Sequence, residues 1–304
     1  MLDKEKCIDR INELYDDKKY IECEEAILEG MRYFPEELKF YSMLADIYRN
    51  KESGLYNPKL AMENYTIAAE KGDAEAMYNL GVNYHQGLCA KVNPKLCIYW
   101  YEKAIEHGCG QAYANLGFVY EDGRLVRKDL KKAEQLYEEG IQKAKSGMCA
   151  HNLALMIYNG LIPNGSVNRM FRLFEVAGEY GYADSYATLS SFYFEGEKCQ
   201  KDEDKAFKFA KLAYDGGSLL GLNNLAICYI NGVGTVEDPH KAFELFKEGA
   251  SKGDTQSTFY LGIAYLDGVG TEQDFALAED YLVIAARAGH RDAQKLCKEA
   301  GVKY

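Results

Sequence analysis

One short pattern recurs seven times along the chain: a leucine, a small residue directly after it, and an aromatic or aliphatic residue three positions beyond that. It stands at Leu44-Ala45…Tyr48, Leu80-Gly81…Tyr84, Leu116-Gly117…Tyr120, Leu153-Ala154…Ile157, Leu189-Ser190…Tyr193, Leu225-Ala226…Tyr229 and Leu261-Gly262…Tyr265. Successive leucines are 36, 36, 37, 36, 36 and 36 residues apart. A register kept this closely means a repeat array, and the one extra residue falls in the Ala144–Gly147 connection, where an insertion costs least. Seven residues after the leucine comes glycine in six units, Lys51 being the exception. A glycine there predicts a helix ending on a left-handed cap. A second helix follows, with its own fixed small position (Ala68, Ala104, Gly140, Ala177, Ala213, Gly249, Ala285). Small residues at matched places let two helix backbones approach to about 8–10 Å, so each unit reads as a helical hairpin. A lone hairpin cannot bury its apolar stripe. Stacking predicts an all-α, right-handed superhelical solenoid with the first helices lining a concave face.

Residues 1–38 hold a looser helix pair, expected to act as an N-terminal cap. Residues 39–290 hold the seven repeats, and 291–304 read as a C-terminal capping helix. No Pro/Gly/Ser linker interrupts them, which predicts one continuous array. Of 304 residues 47% are hydrophobic, enough for a core, yet no run approaches the roughly 18 apolar residues of a membrane span. The net charge of −11 disfavours nucleic acid and anionic membranes as partners. Nine cysteines, an odd number without CxxC spacing, suit reduced thiols rather than a disulfide framework. The charged amphipathic start lacks the apolar stretch of a secretory signal, so a cytoplasmic location is expected.

Two stretches carry a family resemblance. Met77-Tyr78-Asn79-Leu80-Gly81…Tyr84…Gly87 with Tyr99-Trp100-Tyr101-Glu102-Lys103-Ala104-Ile105-Glu106-His107-Gly108 resembles the Sel-one-like repeats, relatives of the tetratricopeptide repeats. Gly232-Val233-Gly234-Thr235…Asp238 and Gly268-Val269-Gly270-Thr271…Asp274 resemble that family's inter-helix loop. The resemblance covers roughly residues 39–290. It implies an adaptor that holds a polypeptide and has no chemistry of its own.

The related tetratricopeptide pattern also implies which positions face the groove. The residue before the helix leucine is Asn79, Asn115, Asn152 and Asn224 in four units. An Asn donates and accepts at once, so a row of them can pair with a peptide backbone, or with their own scaffold or water. Around this row the implied groove positions are Tyr78, Val82, His85 and Phe118, then His151, Leu155, Tyr158 and Phe194. Asn223, Ile227, Phe259 and Ile263 continue it, with Ile230 and Leu266 nearby. Many are large and apolar, as a partner site requires, although some belong to the inter-repeat core. Acidic rim residues, Glu195 and Asp267 among them, favour a partner with basic flanks.

Other chemistry finds little support. His85, Cys89, Cys97, His107 and Cys109 cluster in sequence, but without the spacing of a short zinc motif, and no metal or cofactor is expected. Gly232/Gly234 and Gly268/Gly270 follow a helix rather than a strand, which removes a dinucleotide site. No GxxxxGK, HExxH or GxSxG occurs. The reading is a non-enzymatic adaptor that binds an extended or amphipathic segment; a self-associating scaffold and an inhibitory subunit are the alternatives.

Overall fold

A computed structural model describes residues 3–304, which form seventeen α-helices, with no strand among the described residues. The chain divides into two compact units, Met1–Cys149 and Ala150–Tyr304. The first holds α1 (Lys4–Asp16), α2 (Tyr20–Tyr33), α3 (Leu38–Arg49), α4 (Pro58–Glu70), α5 (Ala74–Gln86), α6 (Pro94–Glu106), α7 (Gln111–Asp122) and α8 (Leu130–Ala144). The boundary falls within α9 (Gly147–Tyr158). The second holds α10 (Val167–Glu179), α11 (Asp184–Glu195), α12 (Glu203–Asp215), α13 (Leu219–Asn231), α14 (Pro239–Ser251), α15 (Thr255–Asp267), α16 (Phe275–Arg287) and α17 (Arg291–Glu299).

Within each unit every helix packs on the next, as in α3–α4, α5–α6 and α7–α8 of the first and α11–α12, α13–α14 and α15–α16 of the second. First helices of adjoining hairpins also meet, α11 on α13. This is the helix-pair solenoid arrangement, repeated in both units. At the N-terminal end Ile11, Ile27, Phe40 and Leu44 share one buried cluster, so α1 and α2 cover α3. At the other end Ala293 and Cys297 of α17 cover Leu282 and Ala285 of α16.

The turns explain the register. All six glycines seven after the leucine take left-handed backbone, Gly87 at φ 72° and Gly268 at φ 70° among them, and Lys145 does so at φ 47° beside the extra residue. The second helix then starts on a side-chain cap: Asn57, Asn93, Asp129, Ser166, Asp202, Asp238 and Asp274 each accept a backbone N–H from the first turn. The cap residue's own N–H reaches back to the carbonyl of the repeat tyrosine, for example Asn93 to Tyr84 (3.0 Å) and Asp238 to Tyr229 (2.8 Å). Lysines three residues past the cap lie over those rings, Lys132 on Tyr120, Lys205 on Tyr193 and Lys241 on Tyr229. The recurrent aromatic thus ties the loop to both of its helices.

Candidate functional site

A layer of rings inside the hairpins decides the chemistry of the first-helix face. Twenty-one residues after the leucine, on the second helix, stand Tyr65, Tyr101 and Tyr137, all fully buried. Tyr101 and Tyr137 insert beside the glycine that follows the leucine. A methyl added at Gly81 or Gly117 would lie under 3.0 Å from the Tyr101 or Tyr137 ring. The hydroxyls reach residues of the first helices. Tyr65 donates to Asp46, and Tyr137 donates to Glu121 at 2.8 Å. Tyr101 lies 3.4 Å from His85 Nδ1 and accepts from Asn115 Nδ2 at 3.5 Å. Arg49 pairs with Asp46 at 3.0 Å, yet burial still holds the Asp46 carboxyl above its usual range. Burial likewise lowers His85, with Asp122 opposing. In the first unit this face is therefore polar, and much of its polarity is already bonded.

In the second unit the ring positions are Phe174, Ala210, Phe246 and Leu282, none with a hydroxyl. Where α13, α14 and α15 meet lies a cavity of about 360 Å3, walled by Ile227, Ile230, Phe246, Tyr260, Ile263 and Val269, with Phe243 of α14 behind them. A smaller cavity of about 110 Å3 adjoins it at Ile227 and is lined by Ser191, Phe194, Glu195 and Asn224. A larger depression of about 640 Å3 lies between the second helices α12 and α14. Several of its charged groups are already paired: Lys247 with Glu244 inside it, and Lys241 and Glu248 with Asp238 and Lys252 beside it, Glu248 also accepting from the Tyr214 hydroxyl.

The asparagines of the sequence pattern meet different fates. Asn115 donates to the Tyr78 hydroxyl of the preceding hairpin at 3.0 Å. Asn224 donates to the Ala187 carbonyl (3.0 Å) and to Ser191 Oγ (3.2 Å), again one hairpin back. These bonds join repeats. Asn79 is buried, whereas Asn152 is half-buried with no side-chain hydrogen bond among the described residues. Asn223, 4% exposed, donates to Asp254 and accepts from Ser257, so it is a core group rather than a surface one.

The apolar and aromatic positions also divide. Phe118 is exposed, while Val82 and Leu155 are half-buried. His151 is wedged against Phe174 and Tyr182 and bonded to Ser185 Oγ at 2.7 Å; burial pushes it down to about 4. Tyr158 donates to Glu197, and Phe259 stacks on His290 of the terminal cap at 4.2 Å. Phe194, Ile227 and Ile263 line the two cavities. Phe246, Tyr260 and Val269 share those walls without having been assigned to the groove from the sequence. The signal that finds Phe246 is the ring position 21 residues after the leucine. Among the described residues no group of three or more His, Cys, Asp or Glu could hold a metal ion. No described helix is long and apolar enough to cross a membrane.

Helix pairs in contact, glycine-capped and bracketed to their neighbours, define a tetratricopeptide-like class whose fold serves protein–protein interaction. The chain belongs to the Sel1 repeat family, whose pattern matches residues 41–73, 74–109, 110–144, 177–218, 219–254 and 255–290. The interval 145–176, which contains the Leu153 unit, lies between the third and fourth matched repeats. A Sel1 repeat protein from Oxalobacter formigenes is similar in structure at 21% identity and a TM-score of 0.66, over 96% of this chain and 90% of that one. A protective antigen of uropathogenic Escherichia coli with an SLR fold is 25% identical with a TM-score of 0.62, over 77% of this chain and 50% of that one. This chain therefore matches only half the length of that antigen. An immunity protein from Pseudomonas aeruginosa shares the fold at 21% identity and a TM-score of 0.50, over 72% and 83% of the two chains. The chain has no significant match among curated proteins.

Proposed function

We propose that this protein is a non-enzymatic adaptor that holds a polypeptide segment along its first helices, with α11, α13 and α15 as the working surface. The observation that carries the reading is the apolar cavity of about 360 Å3 between α13 and α15. Ile227 and Ile230 of α13 and Ile263 of α15 wall it, with Phe243 and Phe246 of α14 completing the lining. Apolar walls left open to a bound side chain supply affinity, since burying a large apolar residue contributes roughly 1.5–3 kcal/mol. Bonded side chains such as Asn224 keep the walls in register with little to reorganise when a partner arrives. Asn152 and Leu155 occupy the equivalent first-helix positions of α9 and are assigned secondary contacts; Asn115, Val82 and Phe118 occupy them within the first unit.

Affinity capture from the native host with the purified protein and its Ile263→Asp variant tests this, with circular dichroism confirming that both are folded. A partner held by the parent and lost with the variant is the expected result. Partners retained equally by both would remove the first helices as the binding surface.

A further inference from the structure

Resting on that adaptor reading, we infer that the paired cavities select an extended segment carrying a bulky apolar residue with an arginine or lysine two or three residues away. The larger cavity is apolar and ample for a Phe, Leu or Met side chain. The smaller one has the opposite character, and its hydrogen bonding is one-sided. Asn224 already directs its amide hydrogens to the Ala187 carbonyl and to Ser191 Oγ, and the Ser191 hydroxyl donates to the Ala187 carbonyl at 3.3 Å. The amide and hydroxyl donors in this cavity, the Ser190 hydroxyl to the Ala206 carbonyl included, are committed within the protein. What faces the space is acceptor capacity: the Asn224 Oδ1 and the exposed Glu195 carboxylate, which has no hydrogen bond or ion pair among the described residues. A ligand group here must therefore donate, and a cationic one gains most.

Neighbouring charges do not cancel Glu195. Lys201 pairs with Glu203 at 3.0 Å and lies over the Phe194 ring, and Lys198 lies over the Tyr158 ring. Glu197 accepts from the Tyr158 hydroxyl. A planar guanidinium with five N–H donors can serve Glu195 and Asn224 Oδ1 together, and an ammonium can serve them with fewer contacts. The spacing follows from the packing. The cavities meet at Ile227 and lie on successive first-helix pairs, which are about 8–10 Å apart. An extended chain advances about 3.3 Å per residue, so the two anchors fall two or three residues apart.

The test is fluorescence anisotropy of the full chain against a positional-scanning library of labelled, N-acetylated, C-amidated octapeptides. Selection of Phe, Leu or Met with Arg or Lys two or three residues away is expected. Replacing the selected arginine by citrulline, which keeps the shape without the charge, should weaken binding about tenfold. That difference should vanish in Glu195→Gln, a surface change that leaves the fold intact, while Ile263→Asp should abolish binding of both peptides. A citrulline effect that persists undiminished in Glu195→Gln overturns the inference. Selected peptides without a basic preference whose binding Ile263→Asp still abolishes also overturn it, but leave the adaptor reading standing. Binding indifferent to Ile263→Asp, or no binding by any peptide, overturns both.

Discussion

Replacing Asn83 by leucine should stabilise the first unit. Asn83 is fully buried in α5, its Nδ2 donates to the Asn79 carbonyl at 2.8 Å, and its Oδ1 has no partner among the described residues. The corresponding positions elsewhere in the array are apolar and buried, namely Ile47, Val119 and Met156. An unpaired buried carbonyl costs about 1–3 kcal/mol, and the bond that leucine would forfeit contributes only about 0.5–1.5 kcal/mol. The Asn79 carbonyl keeps its place in the helix ladder in either case. Leucine adds roughly 1 kcal/mol of apolar burial and a few tenths from helix propensity. The net expectation is a gain of about 2 kcal/mol, or about 4–8 °C in Tm for a unit of this size. Trp100, the only tryptophan, lies on α6, the partner of α5, so its fluorescence in a urea titration reports this unit. The midpoint should rise with an unchanged slope. A lower midpoint would refute the reasoning by showing that the Asn83 carboxamide is matched to its surroundings.

The ring layer makes a second prediction: Gly81→Ala forces a methyl into the Tyr101 ring and should cost roughly 1–3 kcal/mol on the same titration, with a near-neutral result counting against tight insertion of the ring. A third concerns pH. His151 is held neutral in the folded unit down to about 4, from an ordinary value of 6.5, so the unfolded chain takes up its proton first as pH falls. Its contribution is complete above about pH 6.5 and is lost as pH drops towards 4, amounting to at most roughly 3 kcal/mol. His151→Gln should flatten the stability profile of the second unit in that window, and an unchanged profile would show that another group is responsible.

How far the sequence speaks for itself depends on whether a residue's partner is local. The glycines seven after the leucine require left-handed backbone whatever surrounds them, so helix ends were readable directly, and with them the hairpins and their count. The asparagines were not readable in this way. The side chains of Asn115, Asn223 and Asn224 bond to groups 14 to 37 residues away, one hairpin off. Only stacking reveals whether such an amide faces solvent or a neighbour. His151 shows the same limit, because the Phe174 and Tyr182 rings that bury it lie on later elements. The exchange of tyrosine for phenylalanine, alanine or leucine at the ring position is visible in the sequence. Its meaning, buried hydroxyls bonded to the first helices in one unit and none at these positions in the other, needs the hydroxyls placed against Asp46, His85 and Glu121.

The central claim is that a polypeptide lies on the first helices of the second unit. Amide hydrogen exchange of the protein with and without its captured partner tests it most directly, because it reads every helix at once. The account predicts slowed exchange concentrated in α11, α13 and α15, with α12 unchanged. Protection confined to α12 and α14, around the depression between the second helices, would contradict it.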